Sequence, residues 1–259
     1  MNVKEVMTTN LVTVQKDRNL KDVLQLMAQH HITKLPVVDD DGNLLGVVTD
    51  GKIADKLGRE HNRGLVMTTL HASSVMEKDF LIAHPEETLE ALLKDVGKPG
   101  LTMVPVCQGK RLVGIVTKAD LLRFVKSDAK LASIMKKELK AVSADERLIH
   151  ARRLLLDNDI ARLPVLKGGK IEGIIAEHEI AGAFAELKQE DALPQRDHIR
   201  DLQVGAYMRR KVVTARGDMS AKDAAQVMLN EHVGALPIVD ASGQIQGIVT
   251  RTDLIRTYA

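Results

Sequence analysis

Ile32-Thr33-Lys34-Leu35-Pro36-Val37-Val38-Asp39-Asp40-Asp41-Gly42-Asn43-Leu44-Leu45-Gly46-Val47-Val48-Thr49 reads as two short strands joined by a turn. Leu35, Val37 and Val38 favour extended backbone, Asp41-Gly42 is a turn pair, and Leu44 to Val48 returns as a second apolar run. The stretch recurs three times. Met103-Val104-Pro105-Val106 leads through Gly109 to Leu112-Val113-Gly114-Ile115-Val116-Thr117. Arg162-Leu163-Pro164-Val165 leads through Gly168-Gly169 to Ile171-Glu172-Gly173-Ile174-Ile175-Ala176. Ala235-Leu236-Pro237-Ile238-Val239 leads through Ser242-Gly243 to Ile245-Gln246-Gly247-Ile248-Val249-Thr250. Four of the chain's 7 prolines fall at matching points, so the chain is a fourfold repeat with a period of roughly 60 to 70 residues.

Working outward, every unit opens on a Met-containing turn: Val6-Met7-Thr8, Val75-Met76-Glu77, Ile134-Met135-Lys136 and Tyr207-Met208-Arg209. We read these methionines as fillers of core gaps. A brief extended segment follows, at 11–14, 81–83, 141–143 and 212–215, and then an amphipathic helix. Leu20, Val23, Leu24 and Met27 share one face, as do Leu89, Leu92, Leu93 and Val96, and Ala221, Ala224, Ala225 and Met228. Unit three is less regular, with Leu148, Ala151 and Leu155. The strand pair and a second helix complete a β-α-β-β-α unit. The expected class is α+β. One unit is too small to close a core well, so units one and two, and three and four, are expected to pair. The charged 126–130 stretch then marks the boundary between modules 1–127 and 128–259, with repeats at about 1–60, 70–127, 128–187 and 201–259. Residues 184–202 read as an exposed linker whose charged helical pattern stops near Pro194.

Composition narrows the function. At 259 residues, 44% hydrophobic and 28% charged, the chain has ordinary soluble composition. A net charge of +2 gives no pull towards nucleic acid or membrane. Aromatics are only 2%, so a planar ligand would lie mostly between aliphatic side chains, and base-stacking platforms are scarce. The lone Cys107 excludes an intramolecular disulfide and a multi-cysteine zinc site. No apolar run approaches the roughly 18 residues of a membrane span, and the first residues lack the apolar core of a signal peptide, so a cytoplasmic protein is expected. Phosphate loops, dinucleotide fingerprints and His-Glu-x-x-His are missing, and nothing pairs a nucleophile with a base, so no enzyme is expected and no metal site. His30-His31 are adjacent and point apart.

The informative residues follow the second strand. Unit two reads Gly114-Ile115-Val116-Thr117-Lys118-Ala119-Asp120 and unit four Gly247-Ile248-Val249-Thr250-Arg251-Thr252-Asp253. Gly-h-h-Thr-x-x-Asp at a strand-to-helix junction offers free N–H groups to an anion and a carboxylate to two adjacent ribose hydroxyls. The glycine would let a flat base approach the backbone. The same Thr-x-x-acid pattern is close to a capping box, and repetition alone does not choose between the two.

The fourfold hxxLPVVDxxGxhhGhhTxxD pattern resembles the CBS domain, named after cystathionine β-synthase, over nearly the whole chain. Two tandem copies in that family form a pseudo-two-fold Bateman module, and this chain resembles a pair of such modules. The resemblance implies regulatory binding of AMP, ADP, ATP or S-adenosylmethionine in clefts between paired units, with no cofactor beyond that ligand. It further implies that Asp120 holds the ribose, Thr117 lies near phosphate and Ile115 lines the cleft, with Asp253, Thr250 and Ile248 equivalent and Thr252 adding a contact. The partner units would supply Ile32, Thr33 and Lys34 to the first cleft and Ile160, Ala161 and Arg162 to the second, Lys34 and Arg162 facing phosphate. Unit one departs from the motif with Lys52 in place of the aspartate, which cannot accept ribose hydroxyls, and unit three with Ala176 and Glu179. One nucleotide site per module is therefore expected. The leading function is an adenosine-ligand sensor read by an unknown effector protein, with a homodimer implied by the family. The alternatives are a ligand-free scaffold and a weak nucleic-acid binder using Arg209-Arg210-Lys211.

Overall fold

The structure, a computed structural model, describes residues 1–60, 69–96, 103–187 and 201–258. In unit one, β1 (Val14–Gln15) runs parallel to β2 (Lys34–Val38), which pairs antiparallel with β3 (Leu44–Thr49). The later hairpins are β4 (Met103–Gln108) with β5 (Arg111–Thr117), β6 (Arg162–Lys167) with β7 (Lys170–Ala176), and β8 (Ala235–Val239) with β9 (Ile245–Thr250). There the leading strand shrinks to one parallel bridge: Ala83 to Val106, Val142 to Val165, Ala215 to Ile238. The repeated proline fits this geometry. Its missing N–H is not called upon, while the carbonyls of Pro105, Pro164 and Pro237 accept from Ala83, Val142 and Ala215 N–H at 2.9–3.1 Å.

The first helices are α1 (Leu20–Gln29), α3 (Leu89–Val96), α6 (Leu148–Asp157) and α9 (Ala221–Asn230). The helices after each hairpin are α2 (Asp50–Glu60), α4 (Lys118–Leu122), α7 (Glu177–Leu187) and α10 (Arg251–Ile255). Short turns α5 (Leu131–Ile134) and α8 (Val204–Tyr207) lead units three and four. The apolar faces lie inward as the spacing requires: Leu20, Val23 and Met27 are buried, as are Ala221, Ala224, Ala225 and Met228.

Two features differ from the sequence reading. First, each Met turn packs on the other unit of its pair. Val3 N–H donates to Glu87 O and Leu89 N–H to Met1 O, while Leu20 N–H donates to Leu70 O. Units three and four exchange segments likewise, through Leu131 N–H to Met219 O and Leu148 N–H to Leu202 O. The methionines thereby fill the space above the strand glycines of the partner. A Cβ at Gly173 would stand 2.6 Å from Met208 Sδ, one at Gly247 2.8 Å from Met135 Sδ, and one at Gly114 would collide with Met7. These glycines thus make room for a methionine, and the expected approach of a flat base to them is corrected. The core-filling reading of the methionines stands. Second, Phe184 is 0% exposed and lies inside α7. The linker reading fails for 184–187, because Ile180, Ala181, Ala183 and Phe184 form one buried face. The pattern near Pro194 lies outside the described residues.

Units one and two are joined through sheet edges, with Thr8 bridging Ile115, Val47 bridging Glu77 and Asn43 bridging Arg111. Units three and four repeat this through Lys136 with Ile248, Ile174 with Arg209 and Lys170 with Gln244. The apolar cores run the other way. One core joins Leu35, Val48, Ile53 and Leu57 to Leu163, Ile175, Ile180 and Phe184, so it spans units one and three. The second joins Val104, Val116 and Leu121 to Leu236, Val249 and Leu254, spanning units two and four. Core closure, expected from neighbours in sequence, comes from the unit two places along the chain.

Candidate functional site

Four strand-to-helix junctions meet where α2 packs on α7 and α4 on α10. In unit two, Asp120 Oδ2 accepts from Thr117 N–H at 2.8 Å and from Thr117 Oγ1 at 2.7 Å. Unit four repeats this: Asp253 Oδ2 accepts from Thr250 N–H at 2.8 Å and Thr250 Oγ1 at 2.6 Å. Both are capping boxes, so one carboxylate oxygen secures the helix start. Among the described residues neither Oδ1 accepts a hydrogen bond. The motif thus caps the helix through Oδ2 and leaves Oδ1 without a bond, at a half-buried Asp120 and a buried Asp253.

The other two junctions are closed. Lys52 Nζ of unit one pairs with Glu77 at 2.9 Å, and Arg209 Nε pairs with Glu179 at 2.9 Å. Glu179 also takes Ala176 N–H on its Oε2, at 2.9 Å, and contacts His178. Glu77 and Arg209 each follow the methionine of a swapped turn, so the partner unit supplies the ion that pairs with the residue at the aspartate position. In the open units that post is held by Thr8, exchanging both backbone bonds with Ile115, and by Lys136, doing so with Ile248.

The remaining expected residues fall nearby. Ile32 and Ile160 pack partly on the first core. Thr33 and Ala161 are exposed and give their carbonyls to Asp50 and Glu177 N–H. Lys34 and Arg162 are half-buried and make no hydrogen bond or ion pair among the described residues. Neither touches the expected aspartate directly. The field of Lys34 reaches Lys118, and that of Arg162 reaches Arg251, each two residues ahead of an aspartate. The Arg209-Arg210-Lys211 cluster is largely spent on its own chain, since Arg209 holds Glu179 and Arg210 donates to Gly205 O at 3.1 Å.

Sequence reasoning missed the residue after each threonine position: Asp50, Lys118, Glu177 and Arg251. In the motif they stood as variable letters. Lys118 is 5% exposed and its Nζ donates to Thr252 Oγ1 of unit four at 2.7 Å. Burial lowers its pKa to about 8, with Lys34, Arg256 and Lys136 acting in the same direction and only Asp253 opposing. Arg251 is depressed to about 10 by burial and Arg162, and Asp120 opposes. Burial, then the charge of Asp50, raises Glu177 to about 7, while Lys34 and Arg162 pull it back. Burial likewise raises Asp50. The signal that could have found these residues was a position recurring in all four repeats with acid in units one and three and base in two and four.

A family model for the CBS domain matches residues 3–59, 72–127, 131–186 and 204–259. The uncharacterized protein MJ1225 of Methanocaldococcus jannaschii is 25% identical over 99% of this chain and 98% of its own. Its crystal structure, which covers 100% of both chains at 22% identity, gives a TM-score of 0.90. A conserved uncharacterized protein from Pyrococcus horikoshii gives 0.63 over 100% of both chains at 22% identity. MJ1426 of M. jannaschii is 36% identical over 48% of this chain and 88% of its own. Over this length the fold is shared.

Proposed function

Since the chain belongs to the CBS-domain family, we propose that it is a regulatory sensor with two sites for adenosine-containing ligands, one in each pair of units. Asp120 Oδ1 and Asp253 Oδ1 accept the ribose hydroxyls, Thr117 and Thr250 sit towards the phosphate, and Ile115 and Ile248 line the clefts. Ile32, Thr33 and Lys34 complete the first, and Ile160, Ala161 and Arg162 the second. One observation carries the reading. The side chain at the aspartate position is tied up in an ion pair in units one and three, and keeps one carboxylate oxygen without a hydrogen bond among the described residues in units two and four. Lys34 and Arg162 lie beside these junctions, where the acids Asp50 and Glu177 answer them through their field and not through a hydrogen bond or ion pair among the described residues.

The ligand would act by favouring one arrangement of the four units over another, and an effector protein would read the difference. The reading carries with it a cytoplasmic homodimer. Isothermal titration with AMP, ATP and S-adenosylmethionine tests it. Two binding events per chain are expected for at least one of the three. Asp120→Ala and Asp253→Ala should each remove one event and leave a folded chain. A second reading, a ligand-free scaffold, draws support from the capping boxes. Silence towards every adenosine ligand, or unchanged stoichiometry in both variants, selects it.

A further inference from the structure

The two open junctions are equivalent by repeat but not by charge. The residue after the swapped methionine is Lys136 at the unit-four site and Thr8 at the unit-two site, and the next is Lys137 against Thr9. Each first residue is fixed at the lip by two backbone bonds: Lys136 with Ile248 at 3.0 and 3.0 Å, Thr8 with Ile115 at 2.9 and 3.0 Å. The cation from the opposite module also differs. Lys118 reaches across to Thr252 Oγ1, beside Asp253. Its counterpart Arg251 turns back into its own unit and donates to Val233 O at 3.1 Å. The residue matching Thr252 in unit two is Ala119, which has no hydroxyl to receive it. Lys118 therefore stands in the fields of Lys34, Arg256 and Lys136, with Asp253 the acid that opposes them. The field on Arg251 is Arg162 against Asp120.

We propose that the two sites select ligands by phosphate number: the unit-four site takes an adenosine di- or triphosphate, and the unit-two site an adenosine ligand with one phosphate or none. Lys136 and Thr8 are the specificity-determining pair, and Lys118 reinforces the first. This rests on the nucleotide reading above. The two clefts, sharing threonine, aspartate and isoleucine, thus report two different chemical species through one chain. A positive cluster of this kind falls in affinity with added salt, whereas a site recognising mainly ribose and base does not.

The test is titration of the full chain with ATP, AMP and 5′-methylthioadenosine at low and high salt. Each is repeated in Asp120→Asn, which isolates the unit-four site, and in Asp253→Asn, which isolates the unit-two site. With unit two silenced, ATP should bind about tenfold or more tighter than AMP and weaken steeply with salt. With unit four silenced, AMP or methylthioadenosine should match or exceed ATP. Lys136 and Thr8 are both exposed, so their variants report on binding without disturbing a core. Lys136→Thr should lower ATP affinity of the unit-four site about tenfold and leave AMP little changed, and Thr8→Lys should raise ATP affinity of the unit-two site. Should both sites rank the three ligands alike, or Lys136→Thr weaken ATP and AMP equally, phosphate-number selection is wrong while the nucleotide reading survives. Failure of wild type to bind any of them overturns both.

Discussion

The ammonium of Lys118 is held by one hydroxyl, Thr252 Oγ1, while three other cations act on it from Lys34, Arg256 and Lys136. Because its folded pKa is near 8, below the ordinary 10.5, the charged form is disfavoured in the native state. The penalty is full at neutral pH, and stability rises as pH climbs from 8 towards 10.5, where only the unfolded chain still holds the proton. Lys118→Met should therefore stabilise the chain at pH 7, by about 1–3 kcal/mol. It should also flatten that alkaline rise in melting temperature and weaken triphosphate binding at the unit-four site. Loss of stability at pH 7 would show that the Thr252 contact outweighs the charge. Lys118 was invisible in the motif, where it filled a variable position. The aspartates beside it were legible as either helix cap or ribose acceptor, and the structure puts Oδ2 of each on the cap.

At the scale of elements, the hairpin and the helix faces follow directly from local pattern. Proline and glycine sit where the backbone demands them: Gly42 and Gly243 both turn at a φ of 80°. The glycines inside the second strands belong to a different cause. Gly114 faces Met7, and a Cβ there would stand 2.9 Å from Met7 Cγ and 3.2 Å from its Cβ. Gly114→Ala should cost about 1–3 kcal/mol through overpacking, read as a lowered melting temperature. Met7→Ala in the same chain should recover part of the loss, since all three nearest atoms are from that side chain. No recovery would mean that the strand itself objects to the extra carbon. A turn at residue 7 and a strand at residue 114 lie too far apart in sequence for periodicity to join them, so the sequence alone suggests a ligand above the glycine where the fold puts a methionine.

Across the whole molecule, sheet edges bind neighbours in sequence and helices bind alternate units. The contact of units one and three carries Arg152 Nη2 on Asp55 Oδ1 at 2.5 Å, the buried Asp50 and the half-buried Glu177. Glu177 holds its proton to about pH 7 when folded and to about 4.5 when unfolded. The native state thus binds more protons between those values, so stability falls as pH rises through that window and levels off above it. Glu177→Gln should flatten this decline and raise stability at pH 8 by about 1–3 kcal/mol, measured by denaturant titration across pH. A variant no more stable than wild type at pH 8 would show that Lys34 and Arg162 already compensate the ionised pair.

The amino-acid sequence by itself determined the fourfold repeat, the β-α-β-β-α unit and the two junctions that keep Thr-x-x-Asp, because turns, strand pairing and helix faces are set by residues a few places apart. Only the tertiary structure decided which units share a core, which glycines serve a methionine, and which junctions are closed by Glu77 and Arg209. Those outcomes depend on segments exchanged between units and on charges brought together from opposite modules, and a side chain's partner at that range is fixed by packing, not by its place in a motif.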